Sequence, residues 1–374
     1  RFIRTIALRP GGLASDFDAN QAGAYLQDLW QATDRLAITA GVRVDVPWYP
    51  TRAVRNDALA ASPIGVNTSE FIRTRALLAP RLGINWAVRD GTTLRGGAGV
   101  FTGRVPGSFV SFAYLNTGRD AAVVSCGGAA VPAFVADPAR QPSACASGSV
   151  APTSQVSYFP GEFRIPQVIK ASLGVDQRLG HAVVGSLDAL VDRGQHSLYI
   201  TDQNLGAPVG ALAGEGGRLL YGRIATTSAR GALPAVTPNT VSASVGPVLR
   251  NGSRSGDRAV SLTAQVAKRF GAGPLPGAEL AAAYSYTDAE DYFSLRDAQT
   301  VSNYGFAPLN GSLADRRLTT SSYSIPHKVI GKALLRFDDR VPEGAAALQA
   351  AAREELLRVR DDRSGDVHAA RTLD

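Results

Sequence analysis

Apolar side chains recur at every second position in segments of about ten residues, the period of a β-strand with two unlike faces. From Arg35 to Val46, one parity holds Leu36, Ile38, Ala40, Val42, Val44 and Val46, and the other Arg35, Ala37, Thr39, Gly41, Arg43 and Asp45. Pro80 to Val88 sets Leu82, Ile84, Trp86 and Val88 against Arg81, Gly83, Asn85 and Ala87. Asp90-Gly91 follows, a pair suited to the positive φ angles of a tight hairpin. Thr92 to Phe101 then returns, with Leu94, Ala98 and Val100 opposed to Thr93, Arg95, Gly97 and Gly99. Ile169, Ala171, Leu173 and Val175 alternate with Lys170, Ser172, Gly174 and Asp176, and a turn at Leu179-Gly180 leads into an extended run to about Gln203. Val260, Leu262, Ala264 and Val266 alternate with Ser261, Thr263 and Gln265. After a turn at Gly271 to Pro274, Leu280, Ala282, Tyr284 and Tyr286 oppose Glu279, Ala281, Ser285 and Thr287. Val329 to Phe337 reads as a last strand with Lys328, Lys332 and Arg336 on its polar face, and Ala24 to Gln31 as a less regular one.

The connections alternate in length. Short turns near Thr33-Asp34, Asp90-Gly91, Leu179-Gly180 and Gly271-Pro274 separate long irregular segments at Pro47 to Ala79, Arg104 to Arg164, Asn204 to Gly256 and Asp291 to Pro326. That asymmetry is the mark of outer-membrane barrels, and structureless connections this long count against a compact soluble domain. A β-sandwich also alternates, but it would have to bury Arg43, Asp45, Arg81, Arg95, Lys170 and Asp176 without partners, at high cost. The pattern therefore predicts an all-β fold: an antiparallel up-and-down transmembrane β-barrel segment of about nine or ten strands, incomplete as a barrel, with short periplasmic turns and long extracellular loops. Leu36, Ile38, Val42, Val44, Leu82, Ile84 and Trp86 are expected to face lipid, and Arg43, Asp45, Arg81, Asn85, Arg95, Lys170 and Asp176 the lumen. Trp30, Trp48, Tyr49, Trp86, Phe101, Tyr284 and Tyr286 are candidates for interfacial aromatic girdles, although aromatics also simply favour strands.

Composition adds limits. The mean hydropathy of −0.03 and the absence of a long apolar run predict no membrane-spanning helix, which does not bear on strands. The net charge of +7 is scattered, with no basic stripe interleaved with aromatics, so nucleic acid is not an expected partner. Cys126 and Cys145 lie in one Gly/Ala/Pro-rich segment with no histidine nearby, which does not make a zinc site. They read as a loop disulfide, which implies an oxidising compartment, with two free thiols as the alternative. No methionine occurs, even at position 1, and no signal peptide is visible, so a processed product or a fragment is expected.

Several segments resemble a known family. Tyr25-Leu-Gln-Asp-Leu-Trp30 followed by Leu36 to Asp45, with its Gly41-Val-Arg43, is similar to a strand pair of TonB-dependent outer-membrane receptor barrels. Ala79 to Trp86 with Leu94 to Phe101 resembles the next hairpin. Asn204-Leu-Gly-Ala-Pro208, Tyr284-Ser-Tyr286, Ser302-Asn303 and Ile325-Pro-His-Lys-Val329 point to the Oar-like subgroup, over a span of about Ala22 to Phe337. The resemblance implies a plugged barrel of about 22 strands in the Gram-negative outer membrane. Such a protein takes up a bulky, scarce siderophore, glycan or peptide through long loops, with the TonB complex acting on a plug domain. Against that pattern, no plug and no TonB box are read in this sequence and about nine or ten strands are too few to close such a barrel, so a partial barrel is expected. Residues 1–21 are expected to hold a partial strand or loop, residues 22–338 the partial barrel, and residues 339–374 a non-barrel tail with a helix at Ala345 to Arg360. Outer-membrane lipid or lipopolysaccharide and an unidentified extracellular ligand are the expected partners. A non-transporting adhesive barrel and a passive porin remain the alternatives.

No enzyme is expected. His181, His196, His327 and His368 show no catalytic or metal-binding spacing, and no cofactor is implied. Gly96-Gly97-Ala98-Gly99 lacks the Lys-Ser/Thr of a phosphate loop and reads as small residues facing a plug or a crowded lumen. Asp288-Ala-Glu290-Asp291 could hold a divalent cation, though a solvated loop edge is the simpler reading.

Overall fold

The structure is a computed structural model, and it describes residues 2–146, 155–224, 236–271 and 277–335. The expected helix at Ala345 to Arg360, Arg336, Phe337 and most of the Gly271 to Pro274 turn lie outside these residues.

In chain order the elements are β1 (Phe2–Ala7), β2 (Asn20–Thr33), β3 (Leu36–Trp48), α1 (Asp57–Ala61), β4 (Leu77–Arg89), β5 (Thr92–Thr102), α2 (Gly107–Leu115), β6 (Ala121–Cys126), β7 (Val156–Tyr158), β8 (Gln167–Gly180), β9 (Val183–Gln195) and β10 (Ser197–Asp202). Two small hairpins follow, β11 (Gly210–Leu212) with β12 (Arg218–Leu220) and β13 (Gly222–Ile224) with β14 (Val236–Pro238). The chain continues through β15 (Val248–Arg254), β16 (Arg258–Arg269), β17 (Glu279–Asp291), α3 (Thr300–Phe306), β18 (Thr319–Thr320) and β19 (His327–Leu334).

Ten strands form one sheet in the order β18-β17-β16-β9-β8-β5-β4-β3-β2, with β19 also on β17. The alternating long strands are therefore sequence neighbours in an up-and-down meander. Register fixes the faces: Trp30, Ile38 and Ile84 lie abreast, as do Leu26 with Val42, Ala40 with Leu82 and Ala98, and Leu36 with Trp86 and Leu94. Cross-strand partners share a face, so one face of the sheet is apolar across its strands. Leu26 there is 76% exposed and Leu82 53%.

Some boundaries differ from the sequence pattern. The turn expected at Leu179-Gly180 falls instead at His181-Ala182, with φ of 49° and 58°. A two-residue hairpin of this kind needs positive φ at both central positions, and neither residue advertises it. The extended run expected to reach Gln203 is broken at His196, φ 60°, where β9 gives way to β10. The glycine-rich run also has another cause than a crowded lumen. Gly96 and Ala98 lie on the apolar face opposite Ile84 and Leu82. At Gly97 a Cβ would come within 2.8 Å of the Leu82 carbonyl oxygen, so neighbouring backbone excludes a side chain.

The larger correction concerns the long connections, whose described residues include an ordered, shared core. A core of Phe71, Phe109, Tyr114, Phe159, Phe163, Ile200, Leu249 and Phe293 joins four of them. A three-stranded sheet β10-β15-β7 and a pair β1-β6 add backbone order. Tyr49, expected in a girdle, packs edge-on to Phe71 at 5.3 Å in this core. Phe101, also expected there, lies under the Arg81 guanidinium at 4.5 Å.

The chain divides into two compact units. One is Arg1–Gln177, Ser186–Ala264 and Tyr284–Lys328, and the other is Arg178–Gly185, Gln265–Ala283 and Val329–Asp374. In the smaller unit Glu279 pairs with both Arg269, at 3.2 Å, and Lys332, at 3.0 Å.

Candidate functional site

Two surfaces of the larger unit carry its chemistry: the polar face of the sheet and the folded loop module. On the polar face three of the four cations expected from the sequence are paired with carboxylates, Arg43 within its own strand and Arg95 and Lys170 across strands. Arg43 grips Asp45 with two bonds of 2.8 Å, Gln21 donates to the same carboxylate at 2.8 Å, and Asp45 is only 3% exposed. Arg95 bridges Asp176 and Asp188, each at 2.8 Å, and Ser186 donates to Asp176 at 2.6 Å. Lys170 pairs with Asp192 at 3.2 Å. Arg81 spends its charge on the Phe101 ring, and Asn85 stands between Ala37 and Arg95 in register. Asp188 and Asp192 were missed as partners. Their signal was present, since Ser186, Asp188 and Asp192 share one parity of β9.

Small residues fill the row between these pairs: Thr39, Gly83, Gly97 and Ser172 lie abreast. The resulting trough of about 560 Å³ is bordered by Tyr25, Gln27, Arg43, Arg81 and Lys170. It can accept a polar surface, and two of its three cations, Arg43 and Lys170, are already paired with Asp45 and Asp192.

The loop module is organised by asparagines. Asn56 caps α1 by accepting from the Leu59 N–H at 3.0 Å, and its amide donates to the Thr117 carbonyl at 2.9 Å. Asn204 accepts from the Ser242 N–H at 2.8 Å and reaches the Ser242, Val245 and Gly246 carbonyls at 2.9–3.0 Å. Asn303 accepts from the Arg296 N–H at 2.7 Å and donates to the Asp297 and Gln299 carbonyls. The receptor-like motifs containing Asn204 and Asn303 are thus loop-folding devices. Tyr284 and His327, from two other such motifs, share a bond of 2.8 Å between Oη and Nδ1.

Inside the module Arg316 is 1% exposed. It donates to the Tyr304 carbonyl at 2.8 Å, stacks on Phe293 at 4.1 Å and has no carboxylate partner among the described residues. Burial lowers its pKa and raises that of Tyr304. Burial likewise pushes Tyr158 up to about 12 and raises Asp202, whose Oδ1 accepts from the Asn204 and Val248 N–H groups at 2.9 Å each. These groups are structural: none lines a described cavity.

Cys126 and Cys145 form a disulfide that closes the segment between β6 and residue 145. Among the described residues no cluster of ligating side chains could hold a metal. Of the acidic run after Tyr286, Glu290 pairs with Arg258 at 2.6 Å and Asp291 accepts from the Ser294 hydroxyl at 2.9 Å.

Against known proteins, the family described as outer membrane beta barrel domain matches residues 8–337. No curated protein matches the chain. Among solved structures it is similar to the copper transporter OprC, at 11% identity over 72% of this chain and 29% of that one, TM-score 0.37. It is similar to the ferric enterobactin receptor PfeA of Pseudomonas aeruginosa, at 11% identity over 72% and 26%, TM-score 0.39. The outer membrane transporter YddB of Escherichia coli is alike at 10% identity over 74% and 25%, TM-score 0.39. The chain spans between 25% and 29% of the length of these three proteins.

Proposed function

From the premise that this chain belongs to the outer membrane beta barrel domain family, and so lies in the outer membrane, we propose that it is the barrel portion of a TonB-dependent, Oar-like receptor. In this reading the protein takes up a bulky, scarce ligand such as a siderophore, glycan or peptide. The apolar sheet face meets lipid and the polar face, with Arg43, Asp45, Arg95, Lys170 and Asp176, lines the lumen. The loop module stands at the cell surface and captures the ligand. The TonB complex acts through a plug domain of the whole receptor, and no catalysis is involved.

The observation that carries this reading is the shared core of the long loops. A passive pore needs loops that leave an opening, whereas a folded module offers a shaped recognition surface. The test is uptake of isotopically labelled ferric siderophores, oligosaccharides and peptides by cells with and without the gene, in the presence and absence of a protonophore. Gene-dependent uptake that collapses with the protonophore is expected. Uptake that persists would make the barrel a porin, and surface binding without internalisation would make it an adhesin.

A further inference from the structure

On the polar sheet face Arg43, Arg95 and Lys170 find carboxylates, whereas one cluster of cations in the larger unit is left largely without them. At the loop-side ends of β3, β4 and β8 lies a cavity of about 90 Å³. Arg73, Arg75, Arg164 and His196 line it, Ile72 and Phe163 supply apolar wall, and no acidic residue contributes. Arg73 has a loose pair with Glu70 at 3.3 Å, both side chains being largely exposed. Arg75 and Arg164 have no ion pair among the described residues.

The surround is built rather than floppy. The Ser253 hydroxyl accepts from the Arg164 N–H and donates to the Arg164 carbonyl, both at 2.9 Å, so the backbone carrying this guanidinium is clamped from both sides. His196 is held at φ 60°, left-handed for a residue with a side chain, and its N–H donates to the Ser255 hydroxyl at 3.2 Å. Such conformations persist where surroundings over-determine them. Burial, and then the Arg164 charge, hold the His196 imidazole below its usual pKa. Three guanidinium groups line one cavity with little internal compensation, and guanidinium groups match oxyanions with paired, charge-assisted bonds. By the same measure a water needs about 10–15 Å³. The cavity therefore admits a few waters or one oxyanion group, not a whole bulky ligand.

We propose that this cavity binds a single oxyanion group, a phosphate or carboxylate, gripped by Arg75 and Arg164 and flanked by Arg73 and His196. The inference goes beyond receptor function and holds equally if the barrel is a porin or an adhesin. The group can belong to a solute or to a lipopolysaccharide phosphate, and the two sources are separable.

The experiment uses the full-length protein in detergent micelles, with phenylglyoxal modification of each arginine followed by peptide mass spectrometry. Millimolar inorganic phosphate is expected to slow modification of Arg75 and Arg164 by about threefold or more, as paired guanidinium contacts imply. The exposed Arg119 and Arg223 serve as references. Sodium chloride at equal ionic strength should protect neither. Arg75→Ala should abolish protection at Arg164, and Arg164→Ala protection at Arg75, in variants whose heat-modifiable gel mobility shows an intact barrel. Protection by phosphate in micelles supports a solute site. Protection only by phosphatidylethanolamine vesicles containing lipid A supports the same chemistry with a lipid source. Unchanged rates under both conditions, or equal protection by chloride, would overturn the proposal.

Discussion

The sheet and the loop module bury opposite things. On the sheet, Leu26 and Leu82 point away from the protein while Arg43 and Asp45 close on each other. In the module, Phe159 and Leu249 are wholly enclosed and charges such as Glu162 lie at the surface. In the proposed reading, one chain thus obeys two solvents. Where lipid replaces water, exposing leucine costs nothing and exposing backbone polar groups costs several kcal/mol, about what each unsatisfied group loses. The sheet answers with ladder bonds and outward apolar residues. The module, which answers to water, folds as a small soluble protein does.

The contrast can be broken by substitution. The largest effect is expected from Phe159→Ala, which removes a ring packed at 4.8 Å from Phe163 and 5.5 Å from Phe71. It should destabilise the module by about 3–5 kcal/mol, read as rapid proteolysis of the loops while the sheet keeps its heat-modifiable mobility. Loss of both together would show that module and sheet unfold as one. Next comes Leu82→Arg, mid-strand on the apolar face, expected to cost roughly 2–4 kcal/mol of folding free energy in bilayers. Urea titration in vesicles checks it, and a neutral result would mean that this face does not meet lipid. Replacing Cys126 and Cys145 with serine should cost at most about 3 kcal/mol on chain-entropy grounds. The effect should be confined to faster proteolysis between those positions, with urea unfolding of the sheet unchanged.

The smallest effect is a pH slope. Burial raises the pKa of Asp202 in the fold, so its neutral form is the favoured one. Below the ordinary value of 3.8 it imposes no penalty. As pH rises from there through the raised folded value, the native state loses stability. Asp202→Asn keeps the Oδ1 that accepts from Asn204 and Val248, and should flatten that slope in module hydrogen exchange. The Glu162–Arg250 pair acts in the opposite sense, because the guanidinium holds Glu162 low and its contribution fades on acidification. Glu162 is largely exposed and Arg250 only partly buried, so the pair's share is small. An unchanged slope in the Asp202 variant would move the source to another half-buried acid whose pKa is raised, such as Asp257.

The sheet was legible in the sequence because its information is local. Leu36, Ile38, Val42 and Val44 announce their face by parity alone, and register follows from short turns. Asp188 shows how far this reaches: its parity in β9 is readable, but its contact with Arg95 needed the strand order. The module was not legible because its contacts are distant. Ser157 and Thr300 meet across 143 residues, and β7 pairs in parallel with β15. No periodicity marks Phe71, Phe159 and Phe293 as one core, and segments rich in Gly, Pro and Ala read as irregular. The basic cavity was hidden for the same reason, since Arg75, Arg164 and His196 come from three separate stretches.

The shared core also sets where this protein can be engineered. Grafting a foreign epitope into a surface loop works when the loop is an independent appendage. Here the segments near Phe71, Phe109, Phe159 and Ile200 answer to one another, so lengthening one displaces all. The hairpin tip at Gly216 and Gly217, in positive φ with open space around each, is where an inserted sequence should be displayed without disturbing its neighbours.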